Sequence, residues 1–260
     1  EAPVWASGKS SPQWPRYGLL SAQPKNPADY GNALAWVANR WGTKLAGIEM
    51  WNEPDDAGFF FSFIVNETKL QRAAAYATLV KGAYPVAKKA APATKFILAS
   101  PAGIGLADNW FSTLYANGIA GKYDALAVHP YVQPSNVDPD ILAITNNYGV
   151  KAVARVATLM AANGDGNKKI WATEFGYSTH TNTGTEANWN HGVTEAQQGT
   201  YLAKELNILG SIPAVEAGFI YNDRDYNDSN IQLANYGLLR TNLTAKPAYN
   251  TIRCITLNIC

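Results

Sequence analysis

Short apolar runs that end in a turn residue recur along this chain, and most are followed by a stretch with helical periodicity. That alternation leaves few folds open. Ala2-Pro3-Val4-Trp5-Ala6-Ser7 reads as the tail of a strand. Asn26-Pro27-Ala28-Asp29 then reads as an N-cap, a proline at the first helical position and an acid in the first turn. The spacing predicts a helix from Tyr30 to Trp41, stopped by Gly42, and a strand around Ile48. A loop carrying Phe59, Phe60, Phe61 and Phe63 precedes a long helix from Thr68 to Ala90. Further strands are predicted over Phe96–Ser100, Tyr123–Val128, Lys169–Glu174 and Val215–Tyr221. Helices are predicted over Trp110–Ala116, Ile141–Ala162 and from a capping box at Thr194-Glu195-Ala196-Gln197 to Gly210. A final short helix follows Lys246-Pro247-Ala248-Tyr249. Strands alternating with helices build a parallel sheet covered by helices. No low-complexity linker interrupts residues 1–260, so the pattern predicts a single domain.

Several functions are excluded by composition. The 260 residues are 47% hydrophobic, enough for one large core. With 21 basic and 20 acidic residues, the formal charge is +1, and no basic block marks a nucleic-acid or lipid surface. No apolar run approaches the roughly 18 residues of a membrane span. No glycine-rich phosphate loop is present. His129, His180 and His191 fit no tight ligand spacing, so no metal or other cofactor is expected. Cys254 and Cys260 are either two free thiols or a small disulfide closing the tail of an exported protein. Asn66, Asn227 and Asn242 begin sequons, a weak signal pointing the same way.

Two strand ends carry the chemistry. Gly47-Ile48-Glu49-Met50-Trp51-Asn52-Glu53-Pro54 and Lys169-Ile170-Trp171-Ala172-Thr173-Glu174-Phe175-Gly176 are apolar runs that each deliver a glutamate and then a turn former. Paired carboxylates at strand ends are what glycoside hydrolysis needs: one acid for the leaving oxygen, one base or nucleophile across the bond.

The Trp-Asn-Glu-Pro segment resembles the acid/base signature of the clan A glycoside hydrolases, and the Glu174 segment resembles their nucleophile strand. Trp5-Ala6-Ser7, His129-Pro130-Tyr131 and Lys246-Pro247-Ala248-Tyr249 bring the chain closest to the β-xylosidase and α-iduronidase family (family 39) and to related exopolysaccharide hydrolases. The resemblance implies a (β/α)8 TIM barrel, with Glu53 after strand four and Glu174 after strand seven. The strand tip at Trp5 then counts as strand three, and strands one and two with their helices, roughly 60–90 residues, have no counterpart. A separate N-terminal fragment or another chain is the expected partner, since open strand edges seek pairing.

The resemblance further implies a secreted, retaining O-glycoside hydrolase acting on a polysaccharide or oligosaccharide. Glu174 is the expected nucleophile and Glu53 the general acid/base. Asn52 suits the sugar 2-hydroxyl, and Tyr131 or His129 suits Glu174. Trp5, Trp51, Tyr131, Trp189 and Tyr221 are candidate stacking surfaces for sugar C–H faces, while Trp36 and Trp41 are expected in the core. Glu49 reads as a structural carboxylate. Asp223, Arg224 and Asp225 either bind sugar hydroxyls or a charged sugar, or form a solvated loop. The rival class is a non-catalytic, carbohydrate-binding barrel remnant. Turnover of aryl glycosides separates the two.

Overall fold

The computed structural model describes residues 21–62, 64 and 66–259. The Trp5 strand tip, Phe63 and Cys260 therefore lie outside the described residues. The chain divides into two compact units. The first ends at Val128 and takes back Val156–Trp171; the second holds His129–Arg155 and resumes at Ala172.

The first unit is built from β1 (Ile48–Met50), β2 (Phe96–Leu98) and β3 (Ala125–Val128), with helices α1 (Pro27–Trp41), α2 (Lys69–Ala90) and α3 (Trp110–Ala116). The strands pair in parallel, with Ile48 opposite Phe96 and Ile97 opposite Ala125. Every residue of β2 and β3 is buried, which is why these runs read as continuously apolar. Asn26 caps α1 by accepting from the Ala28 N–H, and Gly42 ends it at φ 51°. Thr68 and Gln71 close a capping box on α2. From α2, Tyr76 reaches the strand ends. Its hydroxyl donates to the Met50 carbonyl (2.6 Å) and accepts from the Ala99 N–H (2.9 Å), replacing ladder bonds where pairing stops.

Trp36 and Trp41 are not in the core. They are 63% and 45% exposed. The buried stripe of α1 runs through Gly31, Leu34, Ala35 and Ala38, at helical spacing, and the two tryptophans fall off it. They pack on each other edge to face at 5.8 Å instead, with Arg40 over Trp41.

β4 (Lys169–Phe175) follows β3 in the strand order; its first three residues belong to the first unit. In the second unit the rest of β4 neighbours β5 (Val215–Ile220). There α5 (Glu195–Gly210) opens on the expected Thr194 and Gln197 capping box. A single turn, α6 (Ile231–Ala234), was not foreseen, and α7 (Pro247–Leu257) closes the chain. The helix expected over 141–162 is shorter. Only α4 (Val153–Ala162) is α-helical, and two 3-10 turns precede it. Between them Asn146 accepts from the Tyr148 N–H (3.0 Å) and Gly149 sits at φ 83°. This turn chemistry outcompetes the helical period. No helix among the described residues is long and apolar enough to cross a membrane.

Candidate active site

Glu174 stands at the end of β4, with the side chain about one quarter exposed. Gly176, two residues on, is required by close approach. A Cβ there would meet the Tyr221 carbonyl oxygen at 2.2 Å. The segment after β3 supplies the partners of Glu174. The Tyr131 hydroxyl donates to Glu174 Oε2 at 3.0 Å, and Nδ1 of the fully buried His129 lies 3.8 Å from the same oxygen. A donated hydroxyl both orients a carboxylate and favours its charged form. Tyr236, which the sequence did not single out, stands edge-on to Tyr131 (6.0 Å) and to Tyr221 (5.3 Å). Burial pushes both the Tyr221 and Tyr236 hydroxyls above the usual phenol range, and the Glu174 charge adds to each shift. Both therefore remain protonated donors. The second unit thus brings Glu174, His129 and Tyr131 together, with Tyr236 between the rings of Tyr131 and Tyr221.

One other expectation resolves differently. Asp225 is not solvated. It is buried and paired with the buried Lys246, whose Nζ lies 2.8 Å from one carboxylate oxygen and 2.9 Å from the other. Lys246 also donates to Thr179 Oγ1 (2.8 Å) and to the Asn235 carbonyl (3.2 Å), so its three protons are taken up structurally. Asp223 and Arg224 are exposed. His180 is structural: its ring nitrogens face Ser178 Oγ (2.9 Å) and the Asn190 carbonyl (3.2 Å), closing the polar loop 178–192. Trp189, on that loop, is 55% exposed.

In the first unit β1 leads into Trp51-Asn52-Glu53. The strand loses regularity at once. The Trp51 N–H folds back to the Glu49 carbonyl (3.1 Å), and Trp51 (φ 103°) and Glu53 (φ 42°) adopt left-handed backbone. Strand alternation therefore does not carry from Glu49 to Glu53. Glu49 accepts from the Ser100 N–H (3.1 Å) and lines a cavity of about 270 Å³ with Tyr30, Trp51, Asn52 and Phe59. The Trp51 indole N–H donates to the Phe59 carbonyl (2.8 Å), while Tyr30 and Phe60 meet its ring edge to face. That fixes the indole as a cavity wall.

Asp55 anchors the segment behind Glu53. Its carboxylate is buried, accepts from the Ala102 N–H (2.7 Å) and pairs with Lys69 (2.8 Å), while its carbonyl accepts from Arg72 (2.8 Å). An acid directly after Asn-Glu-Pro was the available signal for this clamp. Tyr236 and Gln232 had none, because the residues that tie them to the site, Tyr131 and Trp189, lie far away in sequence.

No protein-family model matches the sequence, and no characterised protein matches it in sequence. Its structure matches a family 39 glycoside hydrolase from Bacteroides cellulosilyticus WH2 with a TM-score of 0.66 at 21% identity, over 91% of this chain and 46% of that one. The family 39 enzyme from Xanthomonas axonopodis pv. citri gives 0.63 at 18%, over 96% and 49%. A fungal β-1,4-galactanase gives 0.63 at 16%, over 90% and 72%. The chain thus spans just under half the length of the family 39 structures. At these identities the likeness establishes the fold. The chain has an α/β architecture with parallel strands, and its fold is similar to that of these family 39 enzymes.

Proposed function

We propose that the protein is a glycoside hydrolase that retains anomeric configuration through double displacement. Glu174 attacks the anomeric carbon. Glu53 first protonates the departing oxygen and then activates water for the second step. Asn52 binds the 2-hydroxyl, Trp51, Tyr131 and Tyr221 bound the reacting sugar, and Trp189 is a stacking surface for the rest of the chain. The observation that carries the reading is Glu174 at a strand end, hydrogen-bonded by Tyr131 with His129 beside it. The substrate is a polysaccharide or oligosaccharide, and the resemblance to the β-xylosidase family together with the likeness to the galactanase makes xylosides and galactosides the first compounds to try. We further propose export of the protein and a disulfide between Cys254 and Cys260. We also propose that strands beyond the five described here pair with β1 and β5.

Turnover of a 4-nitrophenyl glycoside panel is the direct test. Glu174→Gln is expected to abolish turnover while sugar binding persists. Glu53→Gln is expected to slow poor leaving groups far more than activated aryl glycosides, which need little protonation. Equal losses on both substrate types would remove Glu53 from the acid role.

A further inference from the structure

One buried amide in the second unit joins the exposed Trp189 to the aromatic wall beside Glu174. Gln232 lies in α6 at 6% exposure. Its Nε2 carries two N–H bonds, and both are used. One donates to the Trp189 carbonyl at 2.7 Å, the other to the Tyr236 hydroxyl at 3.2 Å. The amide orientation is chemically determined, since its oxygen cannot face the Trp189 carbonyl. Gln232 is itself held in place. Its N–H donates to the Asn230 side chain (3.1 Å), and its carbonyl accepts from Ser178 Oγ (2.7 Å).

The loop it grips is rigid for its length. Asn182 and Gly192 exchange two hydrogen bonds (2.9 and 2.6 Å) across its neck. Ser135 donates its N–H to the Asn188 carbonyl (2.8 Å) and its hydroxyl to the His191 carbonyl (2.9 Å). All this fixes the backbone at Trp189 while the indole stays 55% exposed. A loop so fully hydrogen-bonded around one solvent-facing indole has the form of a stacking platform, rigid and amphipathic.

We infer that Trp189 is the wall of an outer subsite for an oligosaccharide, and that Gln232 is the positioning residue that sets this wall relative to Glu174. The inference rests on the reading of Glu174 as the nucleophile. A chain long enough to reach Trp189 gains from the platform; a single sugar on a nitrophenyl group does not.

Two measurements on the full chain decide it. In affinity electrophoresis against soluble neutral and acidic polysaccharides, wild type is expected to be retarded by at least one and Trp189→Ala released. This exposed side chain can be removed without threatening the fold. In kinetics, the ratio of KM for a tetrasaccharide to KM for the matching 4-nitrophenyl monoglycoside is expected to rise about tenfold in Gln232→Met, the size of one lost buried hydrogen bond. Retardation without turnover would overturn the catalytic reading alone. Retardation that Trp189→Ala leaves intact, or no retardation at all, would overturn the platform. A KM ratio unmoved in Gln232→Met, or equal losses on both substrates together with a lowered Tm, would overturn the positioning role.

Discussion

Among single residues, Glu205 has a measurable consequence independent of any substrate. It is 1% exposed within α5, and its one hydrogen-bond partner among the described residues is the Tyr177 hydroxyl (3.1 Å). Burial pushes its carboxyl up from 4.5 to about 8. The folded chain therefore holds a neutral acid where the unfolded chain ionises. Its contribution to stability is complete below about pH 4.5 and declines as the pH rises to about 8. Thermal melts from pH 4 to 9 are expected to show that decline, on the order of 1 kcal/mol per pH unit at most, and Glu205→Gln is expected to flatten it. A parallel decline in the variant would assign the effect elsewhere. At the site, Tyr131→Phe removes the donor to Glu174 and is expected to lower kcat about tenfold or more, with Tm nearly constant. Glu174 was legible in sequence because an apolar run ended on it. Asp225 was not, since a loop acid reads the same whether it meets water or a buried Lys246.

Elements were legible where local chemistry agreed with the wider fold. The α1 and α5 starts follow from Asn26-Pro27 and from Thr194 with Gln197. The α4 start failed because the apolar period runs on through residues whose turn preferences win. The connection after β1 was legible as a motif and opaque as a conformation: nothing in Trp-Asn-Glu announces left-handed backbone. Asp55 supports that connection. Asp55→Ala leaves the Ala102 N–H without its acceptor and Lys69 with Asp108 alone. Chemical denaturation is expected to register a loss of about 2 kcal/mol, reduced from a fully buried pair because Lys69 is 42% exposed. Gly176→Ala is expected to be worse, giving little folded protein, because its clash is with backbone that cannot rotate away.

Across the whole molecule, β1 and β5 end the order of strands among the described residues. The strands between them are largely buried, whereas β5 alternates toward solvent and leaves Phe219 46% exposed. An exposed apolar strand edge recruits other strands. The isolated 260-residue chain is therefore expected to self-associate with rising concentration in sedimentation velocity. A concentration-independent monomer would show that these edges are already satisfied.

The left-handed backbone at Trp51 and Glu53 gives evolution at this position a particular cost structure. Side chains with a Cβ occupy such backbone only under compulsion, at roughly 1–3 kcal/mol each. At Trp51 the packing of the indole on Tyr30 and Phe60 outweighs that strain, whereas glycine at Glu53 would release it, so drift toward a sturdier fold runs through the loss of the carboxylate. A laboratory selection for thermostability alone, with no demand for turnover, should therefore enrich Glu53→Gly early, and a selection that keeps turnover should never recover it. Deep mutational scanning under the two regimes would read the difference directly.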